Sequence, residues 1–150
     1  MRSPLDPVLI LLADDDEDDR LLIWDALAQN RVPNKLKCVG DGEELLAYLR
    51  HKGAYQDAET SPRPDLILLD LNMPRMDGRD ALRCIKADPD LRRIPVVVLT
   101  TSQAEEDILK TYDLGVSSFI TKPIGFDRLV SMMADLGNYW FNLVSLPPQR

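Results

Sequence analysis

Val8 to Ala13 and Leu66 to Leu69 are apolar at every position, and this constrains the fold more than any other feature of the chain. A strand that is apolar on both faces must be covered on both, which means a parallel sheet between two layers of helices. Three further runs read as strands: Lys35 to Val39, Ile94 to Thr100 and Ser118 to Thr121. Amphipathic stretches lie between them, predicting helices over Asp18 to Asn30, Glu43 to Arg50, Arg79 to Ala87, Ala104 to Leu114 and Phe126 to about Val144. Turn residues fall between these elements at Asp41-Gly42, Gly53, Pro62-Arg63-Pro64, Asp77-Gly78, Asp88-Pro89, Gly115 and Lys122-Pro123. Gly53 to Pro64 reads as a long surface loop. Strand and helix alternate five times, so the expected fold is α/β: a three-layer (βα)5 doubly wound parallel sheet of flavodoxin-like order 2-1-3-4-5.

The chain has 150 residues and fits one domain, 1–150, with a core of about 8–144 and no repeat or linker. Hydrophobic residues make up 45% and charged residues 29%, which excludes a disordered chain. The net charge of −7 argues against nucleic acid and against an anionic membrane surface. The Val8 to Ala13 run is too short to span a bilayer, and no signal peptide is evident at Met1-Arg2-Ser3-Pro4, so a cytoplasmic location is expected. Cys38 and Cys84 are expected to be buried, inert thiols in a reducing compartment. His51 is the one histidine and reads as a surface residue at a helix end, which disfavours Ser/His/Asp and Cys/His chemistry.

The polar residues at the strand ends carry the chemistry. The first strand runs into Asp14-Asp15, the third into Asp70 and then Asn72, the fourth into Thr100, and the fifth into Lys122-Pro123. In the expected topology all converge on one edge of the sheet. Carboxylates ~4 Å apart repel by about 4 kcal/mol at an effective dielectric near 20, so such a cluster recruits a counter-ion or raises its own pKa values. A hard divalent ion such as Mg2+ takes one or two carboxylates plus other oxygens, leaving a carboxylate able to act as nucleophile. Asp16, Glu17, Asp18 and Asp19 read instead as acids at a helix N-terminus. A calcium loop is disfavoured because its sixth position would be Asp19 rather than glycine.

Four motifs in order and spacing resemble the response-regulator receiver domains of two-component signalling over roughly Val8 to Ser131. They are Leu12-Ala13-Asp14-Asp15-Asp16, Leu69 to Gly78, Val98-Leu99-Thr100-Thr101 and Phe119-Ile120-Thr121-Lys122-Pro123. The resemblance implies that Asp70 is the phosphoacceptor and that Mg2+ is held by Asp15, Asp70 and the Asn72 backbone carbonyl, with Asp14 acting through water. It implies that Lys122 and Thr100 contact the phosphoryl group and that Thr100 and Phe119 form the switch. Phe119 stands where some members carry tyrosine, and Thr101 where a small residue is frequent. The loop from Gly53-Ala54-Tyr55 to Arg63-Pro64-Asp65, the Asp88 to Pro95 segment and the tail from Tyr139-Trp140-Phe141 to Leu146-Pro147-Pro148 resemble the small stand-alone regulators that partner phytochromes. The implied function is a phosphoacceptor rather than an enzyme, receiving its phosphoryl group from a phytochrome-type histidine kinase, with no output domain. A phosphatase with an aspartyl nucleophile is disfavoured because Asn72 stands where its second acid belongs. A docking module without phosphorylation is expected to lack Asp70, Asp15 or Lys122, and all three are present. Tyr139, Trp140, Phe141 and Val144 extend the last apolar stripe beyond what the sheet requires, predicting a homodimer through the C-terminal helix region.

Overall fold

All six side chains of strand β1 (Val8–Ala13) are buried, and its neighbours explain why. The computed structural model describes residues 8–28, 34–71, 73, 75–76, 78–100, 118–121 and 131. Within these, β1 is joined by β2 (Asn34–Val39), β3 (Leu66–Asp70), β4 (Val96–Thr100) and β5 (Ser118–Thr121). The spatial order is β2-β1-β3-β4-β5 and every pair is parallel. The expected order is therefore observed.

Side chains alternate between the two faces of the sheet. Ile10, Leu12, Leu66, Leu68, Val97 and Leu99 pack with Ile23, Ala26 and Leu27 of helix α1 (Glu17–Ala28). Leu11, Ala13, Ile67, Leu69, Val96 and Val98 pack on the other face with Leu45, Leu46 and Leu49 of α2 (Gly42–Leu49) and Ala81, Leu82 and Ile85 of α3 (Gly78–Ala87). Burying one such aliphatic side chain contributes roughly 1.5–3 kcal/mol. The sheet is held by these two cores, which is why its central strands read as continuous apolar runs.

Local signals set the helix ends. Asp16 caps α1, its Oδ1 accepting from the amides of Asp18 at 2.8 Å and Asp19 at 3.3 Å. Asp41 caps α2 by accepting from the Glu44 amide at 2.8 Å. Helix α2 ends with the Lys52 amide donating to the Ala47 carbonyl and the His51 amide to Tyr48. His51 takes φ +55, the left-handed position usually held by glycine in such a closure.

Some expectations need correction. Cys38 is exposed and Cys84 half-buried. Cys38 lies on β2, an edge strand on which Lys35 and Lys37 are also exposed. Ile94 and Pro95 fall outside β4: Ile94 closes the short 3-10 turn Leu91–Arg93, and Pro95 has no N–H to give a ladder. The 53–64 stretch is the surface loop expected, and it is tied down. It opens with a 3-10 turn at Gly53–Tyr55, and three side chains pin it to α2 and the turn that follows. The Tyr48 hydroxyl donates to the Pro62 carbonyl at 2.8 Å, His51 Nε2 to the Ser61 carbonyl at 2.9 Å, and the Tyr55 hydroxyl to Glu44. The helix expected at 104–114, that expected at 126–144 apart from Ser131, and with them the dimer contact, lie outside the described residues.

Candidate phosphoacceptor and metal site

Parallel strands end on the same edge, and the register decides which ends meet. Ala13 of β1 pairs with Leu69 of β3, so Asp14 and Asp70 emerge level on adjacent strands. The Asp14 amide extends the ladder one step further by donating to the Val39 carbonyl at 3.0 Å. One carboxylate oxygen from each of Asp14, Asp15 and Asp70 lies within 4.8 Å of the others. Asp14 and Asp70 are buried, at 0% and 4% exposure, while Asp15 is open to solvent. Two low-lying carboxylates and one at the mouth form a cup with its opening at the edge of the sheet.

Asp14 Oδ1 accepts from the Asp16 amide at 2.9 Å, which turns the chain out of β1 and into α1. Arg20, one turn into that helix, closes the same bend. Its Nε donates to the Asp14 carbonyl at 2.6 Å, and its amide donates to the Asp16 carbonyl at 3.1 Å. Partial desolvation pushes the nearby Cys38 thiol above its ordinary pKa, a shift that the Arg20 guanidinium opposes and Asp14 reinforces. Three acids with an all-oxygen donor set suit a hard divalent cation, since binding one relieves their mutual repulsion.

The segment after Asp70 is held by two glycines. The Gly78 amide donates to the Leu71 carbonyl at 3.0 Å, closing the loop at the start of α3. The Gly42 amide donates to the Met76 carbonyl at 2.9 Å. Arg75 takes φ +61, and its Nη1 lies 3.7 Å from Asp41 Oδ2. The N-terminus of α2 therefore grips the loop that follows Asp70. The sequence showed Asp41-Gly42 and Asp77-Gly78 as turn signals only; the chain crossing that makes them necessary is tertiary. Arg20 carries no such signal.

Of the remaining expected site residues, Thr100 is the last residue of β4 and its register partner is Thr121 of β5, which puts both backbones at the site edge. Phe119 lies within β5, paired with Val98. The side chains of Thr100 and Phe119, and the whole of Asn72 and Lys122, lie outside the described residues. A cleft of about 140 Å3 lined by Tyr48, Leu49, Arg63 and Leu91 sits at the far end of α2. Its arginine is occupied by Asp90, with Nη1 donating to the carboxylate and Nη2 to the carbonyl, both at 2.9 Å.

Comparison with known proteins agrees with this geometry. The family described as response regulator receiver domain matches residues 10–134. The chain is 43% identical to the response regulator Rcp1 of Synechocystis sp. over 141 residues, 94% of each protein. Its structure is similar to that of the phosphorylated cyanobacterial phytochrome response regulator RcpA, with a TM-score of 0.86 and 45% identity over 95% of this chain and 100% of that one. It is likewise similar to the Mn2+-bound form of Rcp1, with a TM-score of 0.84 and 42% identity over 95% and 100%. No helix among the described residues is long and apolar enough to cross a membrane.

Proposed function

The chain belongs to the response regulator receiver domain family, a family of signalling proteins that bind a divalent metal ion, and from that premise we propose that it accepts a phosphoryl group on Asp70 from a partner histidine kinase. The observation that carries the reading is the meeting of the Asp14, Asp15 and Asp70 oxygens within 4.8 Å. Asp70 is the nucleophile. A carboxylate oxygen bonds to phosphorus, the N–P bond of the donor phosphohistidine breaks, and the electron pair leaves with the histidine nitrogen. The product on Asp70 is an acyl phosphate.

Asp15, Asp70 and the Asn72 carbonyl would hold Mg2+, with Asp14 acting through water. The bound ion would supply charge neutralisation for the phosphoryl oxygens during transfer. Asp70 is buried at the floor of the cup, beside the exposed Asp15. Lys122 and Thr100 bind the phosphoryl oxygens, and Thr100 with Phe119 passes the change to the surface, biasing a two-state switch. The similarity to RcpA, a phytochrome response regulator found phosphorylated, supports a phytochrome-type kinase as the donor and a signalling role; a cytoplasmic setting is part of the same reading. The C-terminal residues Tyr139, Trp140, Phe141 and Val144 support a homodimer through that region.

Incubation with acetyl phosphate and Mg2+ tests the central claim. Intact-mass measurement is expected to show one added phosphoryl group, lost in Asp70→Asn and without Mg2+. Full incorporation in Asp70→Asn overturns the assignment.

A further inference from the structure

We propose that Arg20 is a positioning residue for the acidic cup, fixing the Asp14 main chain so that Asp14 and Asp15 face a divalent cation; this rests on the metal reading above. Asp14 is the last residue to use the sheet for its amide, through Val39, and the first whose carbonyl is taken by a side chain, through Arg20 Nε at 2.6 Å. The peptide unit joining Asp14 to Asp15 is thereby held on its carbonyl side by Arg20. The carboxylate of Asp14 is held separately by the Asp16 amide. Asp15 is exposed, and its side chain accepts no hydrogen bond among the described residues. The plane of the peptide that precedes it sets where its N–Cα bond starts, and Arg20 holds that plane through the Asp14 carbonyl.

Gly40 makes room for this arrangement. A Cβ at that position would come within 2.8 Å of Arg20 Nη2. The Gly40 amide is itself held by Glu44 Oε1 at 2.6 Å, so the backbone cannot simply retreat. Arg20 thus lies between the β1–α1 bend and the end of β2, each side restricting its guanidinium. A planar guanidinium suits this place better than an ammonium, because its fork fixes orientation as well as charge.

Charge and positioning act with opposite signs on metal binding, which makes the proposal decidable. A cation beside the cup repels a second cation, so losing the charge alone tightens binding. Losing the support loosens it, and partners that orient ligands indirectly typically change metal affinity by about 10–100-fold.

The experiment measures Mn2+ affinity by calorimetry in the full chain and in Arg20→Met, Arg20→Lys and Gly40→Ala. The Asp14 carbonyl carbon resonance is read by NMR in each metal-free protein. Circular dichroism checks that each variant is folded. The expected result is binding weakened about ten-fold in Arg20→Met, weakened also in Arg20→Lys although the charge is kept, and weakened in Gly40→Ala although Arg20 is kept. The Asp14 resonance should shift in all three. Binding in Arg20→Met as tight as or tighter than wild type overturns the proposal, as does an unmoved Asp14 resonance. If Arg20→Met is unfolded, Gly40→Ala decides, since there only the far end of a flexible side chain must move. Wild-type protein that binds no Mn2+ overturns the metal reading and this inference together; wild-type binding with unaffected variants overturns this inference alone.

Discussion

Gly42 and Met76 meet backbone to backbone: the Gly42 amide donates to the Met76 carbonyl at 2.9 Å, and a Cβ on Gly42 would come within 2.3 Å of that same oxygen. Two segments 34 positions apart are in contact here, one starting α2 and the other following β3. Gly78 makes an equally close approach within the second segment. Its Cβ would lie 2.3 Å from the Asp70 carbonyl oxygen and 2.7 Å from Leu71 Cα.

Gly42→Ala and Gly78→Ala are both expected to destabilise the protein, because backbone atoms cannot rotate aside as a side chain does. Overpacking of this kind costs roughly 1–3 kcal/mol, and at about 2–4 °C per kcal/mol the melting temperature should fall by several degrees. Gly78→Ala should also slow acetyl phosphate incorporation, since it displaces the Asp70 main chain. Thermal unfolding and intact mass give the two readings. A melting temperature equal to wild type in either variant contradicts the close approach.

Asp15→Asn should stabilise the metal-free protein by relieving repulsion within the cup. Asp15 is exposed, so the gain is screened to about 0.5 kcal/mol. Mg2+ should raise the wild-type melting temperature, with about 2.7 kcal/mol of stabilisation at a hundred-fold excess over its dissociation constant. The Asp15→Asn variant should lose most of that response. An equal response to Mg2+ in both proteins removes Asp15 from the metal site.

Alkaline pH should weaken the attachment of the 53–64 loop. Burial, then the hydrogen bond and charge of Glu44, push the Tyr55 phenol from 10.0 up to about 12. Its folded pKa lies above its unfolded value, so this contribution to stability is complete below pH 10 and is lost as pH rises towards 12. Wild-type melting temperature should fall more steeply across that window than that of Tyr55→Phe. Tyr48 is pushed to about 12 by burial as well, so of this pair an absorbance titration should show two high-titrating phenols in wild type and one in Tyr55→Phe. Parallel melting curves across the window sink the prediction.

Leu21 and Trp24 are large apolar residues left 62% and 56% exposed on α1, the helix that begins beside the acidic pair. Exposed surface substitutions usually change stability by no more than about 0.5 kcal/mol. Trp24→Ala should therefore leave the melting temperature and acetyl phosphate labelling near wild type. If a partner kinase docks on this face, transfer from its phosphohistidine should slow about ten-fold or more, as loss of a buried aromatic anchor implies. Unchanged transfer places docking elsewhere.

Alternation of apolar runs and amphipathic stretches was enough to determine the class and locate the strands, because a strand apolar on both faces has few places to go; the order 2-1-3-4-5 was the common one for such a sheet, and the tertiary structure decided it. Asp14, Asp15 and Asp70 could be selected for a related reason: Asp14 and Asp70 are the first charges after such runs, Asp15 follows Asp14 directly, and parallel strands bring those ends to one edge. The sequence could not show that Cys38 faces outwards, since exposure on an edge strand depends on what packs beside it. Nor could it show that Gly42 carries the Met76 carbonyl or that Arg20 holds the bend at Asp14. The Gly42–Met76 contact joins segments 34 positions apart, and the Arg20–Asp14 contact, only six positions apart, depends on how α1 leaves β1; only the folded backbone brings these groups within hydrogen-bonding distance.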